Sequence, residues 1–517
     1  MNKIIVIGID GADNAILDSL LKEGRLPNIK KIAERGYRAY LKSTLPPLTI
    51  PAWPAMFSGK DSLHLDAFDF FRIENDYKLS YLSSRNWQDD MLWKICGDAG
   101  LKCALLDVPG TNPAYPVNGM LFSSSFGNIE AFPPSLEKEA AYKRFKKSVN
   151  GFQKALTDKG IIEASGRELR ESANLAKFIL QKEWDIFVWV IRLADVSMHR
   201  GGLSEMKEAY ANIDRELALF IDYAQENNCS LFITSDHGYA EAFKSLNINA
   251  FLEQLGCLKF KRSLYNIAAR AQKTAGRLKR AELFLYRFAR NIKKIPAPSS
   301  PELIRRNIDF KKSRAFSLTE ICHGSPGVWI NSSDNFKEGP VSPGQDKETL
   351  IEELKKNFLS LEDEAGAHPV KEVILRRELS KNAPHHMPDM FLMLEEGYSP
   401  GTRPHREIIS SNHKFIHGPN GILIAYGAQI SGSGGAIKNA GITDIAPTIL
   451  HLLGESIPDD LNGRVLYEIF ESSSLYFNNK ARYHKSAKSK LPNRADYVLR
   501  EKEEKIIRER LKKLGYI

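Results

Sequence analysis

Short apolar runs rich in β-branched residues alternate along the chain with stretches of helical periodicity, and this alternation restricts the fold more than any other feature. The apolar runs lie within KIIVIGID, KCALLDV, WDIFVWVIRLAD, CSLFITSD and GILIAYG. Between them, segments such as NAILDSLLKEGRLPNIKKIAERG and DIAPTILHLLG carry apolar residues at helical spacing. Strands that alternate with helices predict a three-layer α/β/α fold around a mostly parallel central sheet.

The composition agrees with an ordinary globular protein and excludes several other classes. The chain has 517 residues, of which 43% are hydrophobic and 26% charged, so a disordered chain and a coiled-coil rod are both excluded. The five cysteines are scattered and form no C-x-x-C pair, which argues against a disulfide scaffold and favours a reducing compartment. The apolar run Ile4–Ile9 is too short for a signal-peptide core, and no run approaches the roughly 18 apolar residues of a membrane span. We therefore expect a soluble, cytoplasmic protein.

Side chains able to bind a metal ion lie at the ends of the predicted strands. In a mostly parallel sheet, the carboxyl ends of the strands are where substrates and cofactors bind. His199 comes four residues after Asp195 and shares a face with it if the chain is helical there. Any one of these residues alone is as well explained by a helix cap or a local hydrogen bond. Four strand ends together favour a metal site, and mixed oxygen and nitrogen donors suit zinc better than manganese or iron. The residues at the strand ends are Asp10, Asp195, Asp236, His237 and His417.

A candidate nucleophile lies in the segment STLPPLTIPAWPAMFSGK. Thr49 precedes Ile50 and Pro51, and proline is favoured at the first position of a helix. Thr49 therefore lies beside a predicted helix N-terminus, where backbone N–H groups favour an anion. A threonine hydroxyl needs a base or a metal to become a nucleophile at neutral pH. From the local sequence alone, a simple capping role for Thr49 is the favoured interpretation.

Six motifs, taken in their order along the chain, resemble the alkaline phosphatase superfamily. The motifs are VIGIDGAD, PLTIPAWPAMFSG, DVSMH, TSDHG, HGPNGILIAYG and TDIAPTILHLLGESIPDDLNGRVL. Within that superfamily they are most similar to the type I phosphodiesterase/nucleotide pyrophosphatase branch, in its group of predicted phosphohydrolases and phosphomutases. The resemblance extends from Met1 to about Leu466. It implies an alkaline-phosphatase-like fold with a helical insertion and a helical C-terminal tail.

The resemblance also implies two metal ions and a role for each matching residue. Thr49 would be the nucleophile and a ligand of the first metal. His413 lies four residues before His417 and is the alternative last ligand. The implied cofactors are two divalent ions, Zn²⁺ in the first place and Mn²⁺ as the alternative. The implied ligands are Asp10, Thr49, Asp236 and His237 for one metal, and Asp195, His199 and His417 for the other.

The implied activity is metal-dependent hydrolysis of a small-molecule phosphate ester or diester through a covalent phosphothreonine. Thr49 in place of a serine favours a phosphodiesterase or nucleotide pyrophosphatase. A phosphomonoesterase, a phosphomutase or another phospho-group transferase of the same superfamily is the alternative. A non-catalytic protein that binds an anionic ligand or nucleic acid is the alternative from another class, and the retention of every expected ligand argues against it.

A strongly basic segment interrupts the predicted catalytic core. Residues 257–314 contain 17 Lys and Arg against three acidic residues, a net charge of +14 in a chain whose total is +10. We predict a core of residues 1–256 and 315–470, a basic helical insertion at 257–314 and a basic helical tail at 471–517. The insertion would act as a cap over the site or contact an anionic membrane surface. Nucleic acid is the less favoured partner, because no recognised nucleic-acid-binding motif accompanies the segment.

Overall fold

The computed structural model describes residues 3–262, 301–319, 323–380, 383–384, 386–432, 437, 439–486 and 501–514. The chain divides into two compact units, and each is described by itself. The first unit contains the described parts of residues 1–70, 81–239 and 417–515, and the second those of residues 71–80 and 240–416. The predicted division into core, insertion and tail stays a prediction, because 263–300 and 487–500 lie outside the described residues.

Strands and helices are numbered here in chain order among the described residues. The strands are β1 (Ile4–Ile9), β2 (Tyr37–Lys42), β3 (Phe71–Ile73), β4 (Leu79–Tyr81), β5 (Cys103–Leu106), β6 (Gly119–Ser123), β7 (Glu130–Phe132), β8 (Ile186–Ile191), β9 (Ser230–Thr234), β10 (Gly238–Asn247), β11 (Ala315–Phe316), β12 (Gly327–Ile330), β13 (Val370–Leu375), β14 (Met390–Leu394), β15 (Gly397–Gly401), β16 (Ile409–Gly418), β17 (Asn420–Tyr426), β18 (Ile457–Pro458) and β19 (Tyr483–His484). The α-helices are α1 (Asn14–Lys22), α2 (Pro27–Ala33), α3 (Thr49–Ser58), α4 (Ser62–Leu65), α5 (Leu92–Asp98), α6 (Ala140–Lys154), α7 (Asp158–Leu180), α8 (Leu193–Arg200), α9 (Leu203–Glu226), α10 (Ile248–Gln254), α11 (Pro301–Asn307), α12 (Gln345–Leu359), α13 (Arg376–Leu379), α14 (Ile445–Leu453), α15 (Leu475–Asn478) and α16 (Glu501–Leu514).

The first unit is built on an eight-stranded sheet in the order β2-β17-β9-β1-β8-β5-β6-β7. Its central strands β9, β1, β8, β5 and β6 are parallel, whereas β17 and β7 run antiparallel to their neighbours. All six residues of β1 and all six of β8 are buried, as expected for strands covered on both faces. The predicted α/β class with a mostly parallel central sheet is confirmed.

Helices pack in two groups around this sheet. Helices α1, α2, α7, α8 and α9 contact one another in one group, and α3, α5 and α14 in the other. The segment predicted as one helical stretch after β1 forms two helices, α1 and α2. Gly24 separates them in the left-handed region, at φ +70°, a conformation that costs a glycine little. The late helix predicted around Pro447 is α14.

Among its described residues, the second unit contains two small sheets of three and four strands, the paired strands β3 and β4 except Tyr81, and α12 as its longest helix. One sheet has the order β15-β10-β16 and the other the order β11-β12-β14-β13. The apolar MFLML run forms β14, and helix α12 precedes β13 in the chain. The parts of the predicted basic insertion that the structure describes, 257–262 and 301–314, belong to this unit and contain the short helix α11. The helical character of the insertion as a whole stays a prediction.

The predicted C-terminal helix and the predicted absence of a membrane span can also be compared with the structure. Helix α16 occupies the EKEEKIIRERLKKL segment, which the sequence predicted to be helical. Among the described residues, none of the helices combines the length and the apolar character needed to cross a lipid bilayer.

Candidate active site

Two of the predicted site segments follow central strands of the first unit directly. Asp10 comes immediately after β1, and its backbone N–H donates to the carbonyl of Ile191 at the end of β8 over 2.9 Å. Asp236 and His237 come after β9, which neighbours β1 on its other side. Because these strands are parallel, both segments lie at the carboxyl edge of the sheet, as the sequence predicted.

Asp195 and His199 reach the same edge by a different route from the one predicted. The sequence predicts Asp195 at the end of a strand, but β8 ends at Ile191. Asp195 lies in the first turn of the following helix α8, and His199 lies one turn later. The two side chains share a face of α8, with 3.2 Å between His199 Nε2 and Asp195 Oδ1. The strand is shorter than predicted because the chain turns helical at Leu193.

His417 is next to last in β16 and precedes β17 by three residues. Strand β17 pairs antiparallel with β9, with Leu423 opposite Thr234. The amino end of β17 therefore lies at the carboxyl edge of the parallel strands. This reversed direction brings His417 to the edge that carries Asp10, whereas a parallel β17 would have taken it to the opposite edge.

Asp195, His199 and His417 form one group of potential metal ligands, with ligand atoms all within 4.8 Å of one another. The two imidazole Nε2 atoms of His199 and His417 are 2.8 Å apart. His417 Nε2 is 3.6 Å from Asp195 Oδ1. Two nitrogens and one carboxylate oxygen that converge in this way match the donor set of a catalytic zinc site.

Asp10, Asp195 and His237 form a second group, whose ligand atoms also lie within 4.8 Å of one another. His237 Nε2 is 3.6 Å from Asp10 Oδ1 and 3.3 Å from Asp236 Oδ2. Thr49 Oγ1 lies 3.5 Å from the same nitrogen. The structure thus brings together the four residues predicted for the first metal, and it adds Asp195, which the sequence analysis had assigned to the second metal alone.

Backbone carbonyls fix the orientation of two of the imidazoles. His417 Nδ1 donates to the carbonyl of Pro47 over 2.9 Å, and His237 Nδ1 donates to the carbonyl of Gly238 over 3.0 Å. In a neutral imidazole the other nitrogen, Nε2, then carries the lone pair. In both residues that nitrogen faces the carboxylates of the site. A second hydrogen bond of this kind is typical of metal-binding histidines.

The electrostatics of the site favour a cation. Burial and the neighbouring carboxylates of Asp236 and Asp195 raise the pKa of Asp10 well above its ordinary value, and Arg192 and the Trp53 indole oppose this to a lesser extent. Burial raises the pKa of Asp236 to about 6. Among the described residues, both oxygens of Asp10 and Oδ2 of Asp236 accept no hydrogen bond of normal geometry. Buried carboxylates without such partners are stable when paired with positive charge, so these residues fit a divalent metal ion.

Gly11 is a site residue that the sequence analysis did not single out. Its backbone N–H donates to Asp236 Oδ1 over 3.2 Å, and its φ of +69° lies in the left-handed region. A Cβ at this position would lie 3.2 Å from the Cβ of Asp195. Glycine after Asp10 therefore allows the segments that carry Asp10, Asp195 and Asp236 to approach one another closely. The G-I-D-G spacing is the sequence signal for this role of Gly11.

Thr49 occupies the N-terminus of α3, as the sequence predicted. The helix starts at Thr49, but Ile50 has non-helical angles of φ −110° and ψ 109°, so regular helical geometry begins at Pro51. Thr49 is buried with no exposed surface, and its hydroxyl faces His237. Pro51 has no N–H and the Ala52 N–H donates to the carbonyl of Leu48 over 2.8 Å, so it is the positive end of the helix dipole that favours negative charge close to this hydroxyl.

His413, the alternative to His417, has a different environment. It lies in β16 within the second unit, and its side chain is 58% exposed. Its Nε2 is 2.6 Å from Glu241 Oε1, and its ring stacks on Phe243. Among the described residues it belongs to neither group of potential ligands.

A buried ion-pair cluster beside the site was also missed from the sequence. Arg192, which follows β8 directly, donates to Glu168 Oε1 over 2.5 Å and to Asp107 Oδ2 over 3.2 Å. Asp107 Oδ1 also accepts hydrogen bonds from Ser124 and Ser125. A charged residue within the otherwise apolar WDIFVWVIRLAD segment is the available sequence signal. Because Arg192 is the residue before α8, the cluster fixes the start of the helix that carries Asp195 and His199.

We expect Arg192→Met to lower the free energy of unfolding by about 3–5 kcal/mol, because it leaves two buried carboxylates without their cation. Burial already raises the pKa of Glu168, and Arg192 is the main opposing influence. Urea denaturation followed by tryptophan fluorescence at neutral pH measures the change.

The matched control for this prediction is Arg144→Met. Arg144 makes a single 3.4 Å ion pair with Glu171, and its side chain is 55% exposed. Such a surface pair contributes at most about 1 kcal/mol. Equal small losses for the two variants would show that the Arg192 cluster does not stabilise the start of α8.

Comparison with known proteins agrees with this class of fold. The sequence pattern of the type I phosphodiesterase / nucleotide pyrophosphatase family matches residues 4–422. The match covers most of the chain, and the protein therefore belongs to this family. The predicted resemblance is confirmed, and so is the predicted enzyme class of phosphoric ester hydrolases at the level of the family.

Solved structures with a similar fold are distant in sequence. Phosphonoacetate hydrolase from Sinorhizobium meliloti 1021 is 14% identical with a TM-score of 0.55, covering 86% of this chain and 94% of that one. Human ectonucleotide pyrophosphatase / phosphodiesterase 5 is 12% identical with a TM-score of 0.52, covering 89% and 97%. At these identities the likeness shows the fold, and it confirms the alkaline-phosphatase-like architecture.

One curated relative shares a short segment with this chain. The 2,3-bisphosphoglycerate-independent phosphoglycerate mutase of Mycoplasmopsis pulmonis (strain UAB CTIP) is 38% identical over 60 residues. That segment spans 12% of this chain and 12% of the mutase.

Proposed function

We propose that this protein is a metal-dependent phosphodiesterase that hydrolyses a small-molecule phosphate diester through a covalent phosphothreonine at Thr49. The observation that carries the proposal is the position of the Thr49 hydroxyl. It lies at a helix N-terminus, 3.5 Å from His237 Nε2, beside buried carboxylate oxygens of Asp10 and Asp236 that accept no hydrogen bond of normal geometry from the described residues. Family membership supports hydrolysis of phosphate esters in general.

We assign each site residue a role in holding metal. Asp10, Asp236, His237 and Thr49 would hold one divalent ion, and Asp195, His199 and His417 the other. Asp195 lies in both groups of ligand atoms and would contact both ions. Zn²⁺ is the favoured ion because the donors mix imidazole nitrogens with carboxylate oxygens, and Mn²⁺ is the alternative. When bound, the ions would supply positive charge that favours the Thr49 alkoxide and the phosphate oxygens.

The chain's own groups then define the reaction. Thr49 Oγ1 attacks phosphorus, the P–O bond to the leaving alcohol breaks, and the threonine proton leaves with that alcohol. The phosphate, still esterified to its second alcohol, is now bonded to Thr49. The positive end of the α3 dipole stabilises the negative charge that develops on the phosphate oxygens. Water then attacks the phosphothreonine, releases the phosphate monoester and restores the hydroxyl. Positioning and electrostatic stabilisation account for most of the rate in phosphoryl transfer.

Two neighbours bear on the alternatives. Murine ectonucleotide pyrophosphatase / phosphodiesterase 5 was solved as an inactive threonine-to-alanine variant with AMP. It is 12% identical with a TM-score of 0.50, and the match covers 88% of this chain and 96% of that one. The inactivity of a threonine-to-alanine variant supports a threonine nucleophile, and the bound AMP supports a nucleotide-like substrate. The short match to a phosphoglycerate mutase supports the alternative of a phosphomutase or a phosphomonoesterase.

The experiment compares a diester with its monoester. Purified protein supplied with Zn²⁺ or Mn²⁺ should hydrolyse bis-p-nitrophenyl phosphate faster than p-nitrophenyl phosphate, and metal analysis of the same sample identifies the ion. A reversed preference would assign the protein to the phosphatase or mutase alternatives. A protein that turns over neither compound, and binds phosphate equally well after Thr49→Ala, would be the non-catalytic binding protein considered from the sequence.

The proposed membrane contact and the proposed cellular location do not depend on the site. Contact between an anionic membrane surface and the basic insertion 257–314 remains a proposal, since 263–300 lie outside the described residues. A cytoplasmic location also remains a proposal, supported by the cysteine pattern of the sequence.

A further inference from the structure

Helix α6 presents an exposed face that contains basic and neutral residues but no acidic ones. Lys143, Lys146, Lys147 and Lys154 line a shallow groove of about 460 Å³ together with Asn150 and Gly151. These positions follow helical spacing and cover nearly three turns. Gly151 leaves open space between the lysines, because a Cβ there would contact no other atom within 4 Å.

The opposite face of α6 fixes the direction in which the lysines point. Its apolar residues Tyr142, Phe145, Val149 and Phe152 are all buried, and α6 packs on α7. The helix therefore cannot rotate to bury its basic face without exposing this apolar one. The basic face is a fixed part of the surface of the first unit.

Most of the positive charge on α6 is not paired with a carboxylate of the described residues. Helix α6 contains five Lys and Arg and no Asp or Glu. Lys146 is 3.5 Å from Glu137, but no described carboxylate forms an ion pair with Lys143, Lys147 or Lys154. A patch of this kind attracts a surface with high negative charge density.

A large apolar side chain projects from the end of the same helix. Leu156 follows the last residue of α6 by two positions and is 92% exposed, more than any other large hydrophobic residue described. Lys154 and Lys159, both exposed, lie on either side of it in the chain. Contact between this leucine side chain and water is unfavourable in free energy, and transfer of the side chain into a hydrocarbon environment would be favourable.

We propose that the basic face of α6 and Leu156 together bind the surface of an anionic lipid bilayer, with Leu156 inserted below the headgroups. Peripheral membrane binding combines two elements, the attraction of basic side chains to acidic headgroups and the insertion of an apolar side chain. The lysines of α6 supply the first and Leu156 supplies the second. A nucleic acid fits less well, because a phosphate backbone offers Leu156 no apolar environment. The aromatic side chains of α6, on which bases would stack, are buried.

Sedimentation of the full chain with vesicles tests the proposal. Wild-type protein should bind phosphatidylcholine vesicles that contain phosphatidylglycerol, bind pure phosphatidylcholine weakly, and lose binding as salt increases. The triple variant Lys143→Glu, Lys147→Glu, Lys154→Glu should bind the anionic vesicles about tenfold more weakly or worse. Leu156→Ser should weaken binding by about threefold to tenfold, and more so at high salt, where the apolar contribution remains.

A triple variant on other exposed lysines, Lys337→Glu, Lys356→Glu and Lys371→Glu, is the matched control. It changes the net charge by the same amount and leaves the basic segment 263–300 unaltered, so it should bind vesicles nearly as the wild type does. Equal losses in both triple variants would overturn the proposal, because net charge alone would then explain binding. If Leu156→Ser left vesicle binding unaffected and the α6 triple variant lost binding to RNA, the proposed partner would be a nucleic acid and not a bilayer. Hydrolysis of p-nitrophenyl esters, unchanged in all these variants, verifies that each is folded.

Discussion

Thr49→Ala should reduce kcat for bis-p-nitrophenyl phosphate by about three orders of magnitude or more while metal content stays close to that of the wild type. The hydroxyl supplies the attacking oxygen, and nothing else in the variant can form the phosphothreonine. Metal should remain, because Thr49 is one donor beside Asp10, Asp236 and His237. Steady-state kinetics and metal analysis of the same preparation measure the two effects.

The control for Thr49 is Thr44→Ala in the same segment. Thr44 Oγ1 donates to the carbonyl of Pro46 over 2.7 Å, so its removal tests the loop without touching the proposed nucleophile. We expect its kcat to change by less than about tenfold, in line with one lost neutral hydrogen bond. Mass spectrometry of wild-type enzyme quenched in acid during turnover of bis-p-nitrophenyl phosphate should find a p-nitrophenyl phosphate group on Thr49. Turnover of Thr49→Ala near the wild-type rate would remove the covalent mechanism and leave direct attack by water.

His417→Ala should lose about one equivalent of metal per chain and most of the activity, because a catalytic zinc normally retains three protein ligands. His417 Nε2 lies 2.8 Å from His199 Nε2, and its ring is fixed by the carbonyl of Pro47. Without it, Asp195 and His199 remain as the only protein ligands of that group. Metal analysis after dialysis, together with kcat for the diester, measures the loss.

His413→Ala is the matched comparison, since it removes an imidazole from the same strand. Its exposed side chain pairs with Glu241, and we expect both metals and nearly full activity to remain. Loss of metal from His413→Ala alone would transfer the ligand assignment to that residue and leave the two-metal proposal intact. If neither variant lost metal, the second site itself would be wrong.

The sequence predicted five strands of the large sheet because an uninterrupted apolar run lies within each of them. Strands covered on both faces exclude polar residues, so β1, β5, β8, β9 and β17 are visible in the sequence without any tertiary information. Boundaries were predicted less well. The strand expected to end at Asp195 ends at Ile191, because the choice between extending a strand and starting a helix depends on packing against neighbouring helices.

The site was predicted from residue types and order, but its geometry was not. Motif order brought all seven proposed ligands into consideration, and the structure gathers them at one edge of the sheet. The presence of Asp195 in both groups depends on the close approach at Gly11, which spacing in the sequence does not reveal. The Arg192 cluster was missed because its partners Asp107 and Glu168 come from distant elements.

By itself, the sequence determined the class of fold, the family and the set of residues able to bind metal, since these depend on hydrophobic pattern, motif order and side-chain chemistry. Tertiary structure alone decided which histidine joins the site. His413 and His417 lie in one strand, four residues apart. The antiparallel direction of β17 and the carbonyl of Pro47 place His417 beside His199. Strand direction and a backbone contact between residues 370 positions apart follow from the folded sheet, and no local pattern encodes them.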